Sequence, residues 1–157
     1  MEDFLIKNLE WHYRWLGLAD HVSTFSKDPS TQCGCYIVDK DNNDVGFGYN
    51  GFPRGMKDTA ERYLDRDFKY KHILHSEMAA LLSCPFVPEG SYAYITHPPC
   101  VRCLGALRQK RIFNVVAYAP SEDFASRWDQ EECMELADEL GISVKLLPKE
   151  IHFSLTS

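Results

Sequence analysis

Apolar residues recur along this chain in two rhythms. Near the start, Phe4, Leu5, Leu9, Leu16 and Ala19 stand among polar residues as an imperfect stripe at helical spacing, which predicts a first helix over about 20 residues. TFSKDPST follows as a Ser/Asp/Pro cluster and reads as a loop. CGCYIV and VGFGYNG then have strand character, and the polar DKDNND between them supplies a turn, so residues 33 to 49 form a hairpin that runs into the Gly/Pro-rich loop NGFPRGMKD. The helical period returns in KYKHILHSEMAALLSC, where Ile73, Met78, Leu81 and Leu82 recur and Ala79 and Ala80 favour helix; this segment reads as one second helix. SYAYIT is a third strand by its aromatic and β-branched content. PPCVRCLGALRQKR opens on prolines and closes on basic residues, as helices tolerate and favour. IFNVVAYA is a fourth strand, residues from about Trp128 to Leu140 a fourth helix stopped by Gly141, and ISVKLL a fifth strand.

The order α-β-β-α-β-α-β-α-β implies a three-layer α/β/α sandwich, a five-stranded mixed sheet with helices on both faces. No repeat, low-complexity tract or linker divides the sequence, so residues 1 to 157 read as one domain. The 45% hydrophobic content is enough for a core, and 25% charged residues lie far from a disordered composition. A net charge of -6 argues against a protein that tracks a nucleic-acid backbone with basic residues, though not against binding a single phosphate. No apolar run reaches the roughly 18 residues of a spanning helix, and MEDFLIKNLEWHYRW carries acids where a signal peptide carries positive charge. A cytoplasmic protein without membrane partners is the expectation.

Of six cysteines, Cys33, Cys35, Cys84 and Cys133 lie in apolar surroundings and read as small core residues, whereas Cys100 and Cys103 form a spaced pair. Taken alone, C-x-x-C suits a redox pair, half of a structural zinc site or two core cysteines. Here it follows HSE at 75 to 77, and together they carry the H-x-E and P-C-x-x-C signature of zinc nucleobase deaminases. One imidazole (His75) and two thiolates (Cys100, Cys103) leave the fourth tetrahedral position of zinc to water, which is the requirement of a catalytic site. Glu77, two residues from His75, cannot share its direction on a regular helix and is placed as the neighbouring proton shuttle rather than a ligand. The expected chemistry is attack of an acidified water on the amine-bearing ring carbon, Glu77 moving the protons and ammonia leaving.

FSKDPSTQCG, GYNGFPRGMKD, ERYLDRDFKYKHILHSE and YITHPPCVRC together resemble the deoxycytidylate (dCMP) deaminase family, over about Ser26 to Tyr118. The resemblance implies a cytidine-deaminase-like fold and hydrolysis of dCMP to dUMP and ammonia, which supplies thymidylate synthesis. It makes His75, Cys100 and Cys103 the zinc ligands and Glu77 the catalytic acid and base. It seats the 5′-phosphate on Ser26 and Lys27, brings Asn50 to the sugar hydroxyl, and points the Ser76 amide at the base carbonyl. Asn50 also suits a left-handed turn, Ser26 a loop cap and Lys27 a solvated surface. Arg54 and Lys57 are further basic residues within reach of a phosphate or plain surface; His97 faces the base or serves the loop; Tyr118, Phe124 and Trp128 meet substrate or core. The resemblance further implies dCTP and dTTP as effectors, Mg2+ accompanying the triphosphate, and a homo-oligomer. Two positions depart from the family pattern, Ser76 where alanine is usual and Ala79 where asparagine is usual. PPCVRCLGAL is also similar to tRNA adenosine deaminases, and the two departures would suit a catalytically silent nucleotide-binding regulator; the acidic balance and GYNGFPRG favour the free nucleotide.

Overall fold

Alternation along the central strands sets the layers. In β1 (Gly34–Val38), Cys35 and Ile37 point to one face of the sheet and Tyr36 and Val38 to the other, and both sets are covered. The computed structural model describes the backbone of residues 2–149 and side chains from residue 8 onward. Strands β2 (Asp44–Tyr49), β3 (Tyr92–Ile95), β4 (Asn114–Tyr118) and β5 (Ser143–Leu147) complete a sheet of order β2-β1-β3-β4-β5. β1 pairs antiparallel with β2 and with β3, while β3, β4 and β5 run parallel. The five-stranded mixed sheet expected from the sequence is therefore present.

Helix α1 (Glu2–Ser23) covers one face. Its Tyr13, Trp15 and Leu16 pack with Val38, Tyr94, Val116, Tyr118 and Leu147. Leu16 and Ala19 of the predicted stripe are fully buried, and the side chains of Phe4 and Leu5 lie outside the described residues. The other face carries α4 (Ser76–Ser83), α5 (Val101–Gln109) and α7 (Gln130–Leu140), whose Ala80, Leu81, Leu104, Leu107 and Ala137 close over Ile37, Ile95, Val115 and Ala117. Each fully buried leucine there contributes about 1.5–3 kcal/mol. Gly141 ends α7 in the left-handed conformation, φ 74°, as its position in the sequence required.

The predicted second helix is corrected by the structure. Residues 66–72 form α3 (Arg66–His72), preceded by the short α2 (Ala60–Leu64), and α4 begins only at Ser76. Between them Ile73 is extended (φ -70°, ψ 138°) and Leu74 pairs with Gly51 through two backbone hydrogen bonds of 2.8 and 3.1 Å. This long-range bridge overrides a helical period that the local sequence would have continued; Leu82, placed on that stripe, is 69% exposed. A four-residue helix, α6 (Glu122–Ala125), capped by Ser121, also appears in the segment after β4. Among the described residues no helix is long and apolar enough to cross a membrane.

α4 lies against β2 at its glycines: a Cβ on Gly48 would land on the α4 backbone at Ala80. Gly48→Ala should therefore force α4 off the sheet, costing about 1–3 kcal/mol and lowering the melting temperature by several degrees; an unchanged melting curve would show that α4 has room to move. His12 on α1 lies 2.9 Å from the Tyr94 hydroxyl, and burial together with the nearby Lys145 charge holds its pKa down to about 4 from 6.5. The folded chain keeps this imidazole neutral where the unfolded chain protonates it, so its contribution is complete above pH 6.5 and disappears as pH falls toward 4. Melting temperature should decline more steeply over that window in the natural chain than in His12→Asn, and parallel slopes would contradict the assignment.

Candidate active site

The parallel strands β3 and β4 end where α5 begins, and crevices outside the carboxyl ends of such strands are where α/β sheets bind ligands. β3 runs through Thr96 and His97 to Pro98 and Pro99, and Cys100 then caps α5. His75 caps α4 in the same way. Both caps have extended backbones, and neither uses its side chain to bond its own helix, so imidazole and thiol are turned outward from two adjacent helix starts. Cys103 adds a second thiol from the first turn of α5. The His75 Nδ1 atom lies 3.4 Å from Sγ of Cys100 and 3.4 Å from Sγ of Cys103, and all three donor atoms fall within 4.8 Å of one another. Zinc at about 2.3 Å from sulfur and 2.0–2.1 Å from nitrogen puts tetrahedral neighbours about 3.5 Å apart, so the donor set fits that ion in both chemistry and spacing. Unpaired amides and the positive ends of α4 and α5 favour thiolate at this point.

Charge in the cluster is unevenly shared. Cys100 is held down to about 3, first by the hydrogen bond from Cys103 and then by the His75 ring, while Cys103, the donor to Cys100, is pushed far up with burial and the Glu77 charge adding to it. The hydrogen bond to Cys100 raises the His75 pKa against the opposing effect of burial. Glu77 is 5% exposed, and burial raises its carboxyl above the usual range although Cys103, Ser76 and His75 pull the other way. A raised carboxyl is what a group that both takes and returns a proton near neutrality requires. The Ser76 hydroxyl, itself fully buried, donates to Glu77 Oε1 at 2.6 Å. The serine that departs from the family pattern thus fixes one oxygen of the carboxylate.

A cavity of about 280 Å³ opens over this cluster and is lined by His75, Ser76, Glu77 and Cys100. Asn50 joins them from the end of β2: its Oδ1 accepts from the Cys33 amide at 2.8 Å, and its Nδ2 donates to the Thr31 carbonyl at 2.8 Å and to Asp28 at 3.3 Å. Its φ is negative, so it is not a left-handed turn residue. Ser26 and Lys27 are elsewhere. The Ser26 hydroxyl is buried and donates to the Asn50 carbonyl at 2.8 Å, Lys27 reaches out to Asp58 at 3.4 Å, and neither lines the cavity. Arg54 and Lys57 are exposed in the loop after Asn50 and also lie off the cavity. Of the three aromatic candidates, Phe124 and Trp128 form a wall of the cavity beside His97, whereas Tyr118 belongs to the α1-side core.

Sequence reasoning missed Cys33, Asp28, Lys69 and Arg127, all of which line the cavity. Cys33, which its apolar neighbours in sequence suggest for the core, is only partly buried, and burial pushes its thiol up to about 12, so it stays neutral. Lys69 stood in a basic run on a predicted helix, with nothing local to separate it from Lys71. Asp28 is the residue that could have singled it out, because an acid in a Pro-containing loop beside a short apolar strand has to find a cation once buried. All six cysteines are free.

Comparison with known proteins agrees with this geometry. Residues 9–119 match the family model described as the cytidine and deoxycytidylate deaminase zinc-binding region. The chain is 35% identical over 144 residues to a deaminase of the luxG 3′ region of Aliivibrio fischeri, covering 90% of this chain and 97% of that one. It is 34% identical over 116 residues to the deoxycytidylate deaminase of Homo sapiens, covering 69% of this chain and 64% of the human one, so it spans a little under two thirds of that relative. The dCMP deaminase of cyanophage S-TIM5, solved in complex with dCMP and dUMP, superposes with a TM-score of 0.71 at 21% identity over 85% of this chain and 94% of its own, a likeness of fold. With the family model spanning most of the chain and the His75, Cys100 and Cys103 donors gathered beside a buried Glu77, the protein belongs to the cytidine and deoxycytidylate deaminase family of zinc-binding enzymes.

Proposed function

We propose that this enzyme hydrolyses dCMP to dUMP and ammonia. The observation that carries the reading is the position of Glu77, a buried carboxyl with a raised pKa that lines the same cavity as the His75–Cys100–Cys103 cluster and Asn50. Zinc, which His75, Cys100 and Cys103 would hold, would supply a water acidified enough to act as nucleophile near neutral pH. Glu77 takes one proton from the attacking water and delivers it to the ring nitrogen beside the amine-bearing carbon, then passes the second, from the hydroxyl formed on that carbon, to the amine, so that the C–N bond breaks as C=O forms and NH3 leaves. The Ser76 amide, in the first turn of α4 where no helical carbonyl is available to it, is the donor for the base carbonyl. Asn50, held by three hydrogen bonds, presents a fixed amide to the sugar.

The similarity to deoxycytidylate deaminases and the negative overall charge favour a free nucleotide over a tRNA substrate, and an intact Glu77 with three ligands favours turnover over silent binding. On the same reading the loop of exposed Arg54 and Lys57 is the segment for a triphosphate effector, dCTP or dTTP with Mg2+, on a cytoplasmic homo-oligomer built from chains of one domain.

Zinc-loaded protein should release ammonia from dCMP in preference to CMP, deoxycytidine and dCTP. Glu77→Gln should keep about one zinc per chain while losing about 10²–10⁴-fold in kcat. Silence of the natural protein on all four compounds would overturn the proposed reaction, and full activity of Glu77→Gln would remove Glu77 from it.

A further inference from the structure

The active site occupies the carboxyl ends of the parallel strands, and their amino ends carry a second cavity, of about 200 Å³. Tyr92, Asn114 and Ser143 open β3, β4 and β5 and stand in register. One alternation further along, on the same α1 side of the sheet, come Tyr94, Val116 and Lys145. Helix α1 supplies Trp11 and His12 to the cavity, and the β1–β2 turn supplies Asp39 and Lys40. None of these residues lines the active-site cavity.

The charges of this cavity are out of balance. Among the described residues neither Lys40 nor Lys145 forms an ion pair. Asp39, the acid in the lining, is engaged in its own turn: its carboxylate accepts from the Asp41 and Asn43 amides, each at 2.9 Å, and from Asn43 Nδ2 at 3.3 Å. Both lysines are aimed by their surroundings. The Lys40 stem lies along the turn that enters β3, since a Cβ on Gly90 would stand 3.6 Å from Lys40 Cβ and 3.8 Å from its Cδ. The Lys145 charge reaches under α1, where it adds to burial in keeping His12 neutral. β3 and β5 are two strand spacings apart, about 10 Å, within the combined span of two four-carbon stems. In a chain of net charge -6, two unpaired cations thus flank one small polar cavity.

We propose that this cavity binds a small phosphorylated polyol, its phosphate held between Lys40 and Lys145 and its hydroxyls on Asn114 and Ser143. Two ammonium groups without a free carboxylate between them match a dianion. The Asn114 amide and the Ser143 hydroxyl have no side-chain hydrogen bond among the described residues, and each can both donate to and accept from a sugar hydroxyl. Exposed Trp11 and half-buried Tyr92 give the ligand's carbon skeleton an aromatic wall. At about 200 Å³, against about 280 Å³ for the active-site cavity, the space suits a sugar phosphate without a base. The site is separate from the deamination chemistry and does not depend on the identity of its substrate.

The test is calorimetric titration of the zinc-loaded full chain with ribose 5-phosphate, ribose and inorganic phosphate. Ribose 5-phosphate should bind about 10-fold or more tightly than either fragment, and Lys40→Met and Lys145→Met should each weaken it about 10- to 100-fold. Lys145→Arg, which returns the charge, should recover most of that loss. Both lysines are exposed, so the melting temperature of each variant should match that of the natural chain. Arg54→Met and Arg127→Met, at cations outside this cavity, should bind as the natural chain does. Absence of ribose 5-phosphate binding overturns the proposal, as does inorganic phosphate binding as tightly as the ester. A loss equal in Arg54→Met would reduce the effect to overall charge, and a loss confined to Arg127→Met would place the ligand in the active-site cavity; either outcome removes the second site.

Discussion

Two backbone hydrogen bonds between Leu74 and Gly51 decide where α4 begins, and the chemistry of the site is counted from that start. Were the helical period of residues 69–84 continued, His75 would sit in a helix interior with its amide and those after it bonded to the preceding turn. The bridge breaks α3 at Ile73, leaves His75 as a cap, and opens the first-turn amides of α4 toward the carboxyl ends of β3 and β4. α5 repeats the arrangement with Cys100. Two helix starts side by side supply the positive field that thiolates and a polarised base carbonyl both need, before any side chain is considered. Gly51 belongs to the segment that also delivers Asn50, so one strand pairing sets His75 and the Asn50 wall of the cavity together.

Within that frame the carboxyl of Glu77 is governed by dryness. Burial favours its protonated form, and the hydrogen bond from Ser76 together with the imidazole charge oppose this without reversing it. A hydroxyl in place of the family's usual alanine therefore acts on the carboxylate itself, restraining one of its oxygens and leaving the other without that bond. Ala79, the second departure, has no polar side-chain atom. It lies where α4 approaches Gly48 so closely that a Cβ there would meet the helix backbone.

The sheet was legible because its signals are local. Alternation in GCYIV, the aromatic and β-branched run in YAYI, and a glycine after a helix each follow from side chains close in sequence. The metal donors were legible for the same reason, since three residues in two short motifs fix ligand type and spacing. What the sequence hid depends on distant partners. The break at Ile73 comes from Gly51, 22 positions earlier in the chain. Lys69 is held at the cavity wall by Asp28, and the Ser26 hydroxyl is turned toward the Asn50 carbonyl. Tyr118 and Phe124 were indistinguishable as aromatics near the end of β4, and only the crossing of α1 beneath the sheet assigns the first to the core and leaves the second to the cavity.

An enzyme of net charge -6 that binds a phosphate dianion has to separate the field of its surface from the field of its pocket. Here the separation is made by burying an acid rather than by massing bases. Asp28, saturated by two amides, an asparagine and a lysine, projects no free negative charge into the cavity, yet it fixes a lysine at the wall. Such an arrangement sets a fixed cation at the cavity wall with no bare carboxylate beside it. A polymer of phosphates would need a basic surface extending beyond the pocket, and Arg54 and Lys57, exposed off the cavity, share their loop with Asp58, which already faces Lys27. A buried network of this kind adds no basic surface for a nucleic-acid strand to follow, so the packing of Asp28 accords with the free nucleotide that the overall charge favours.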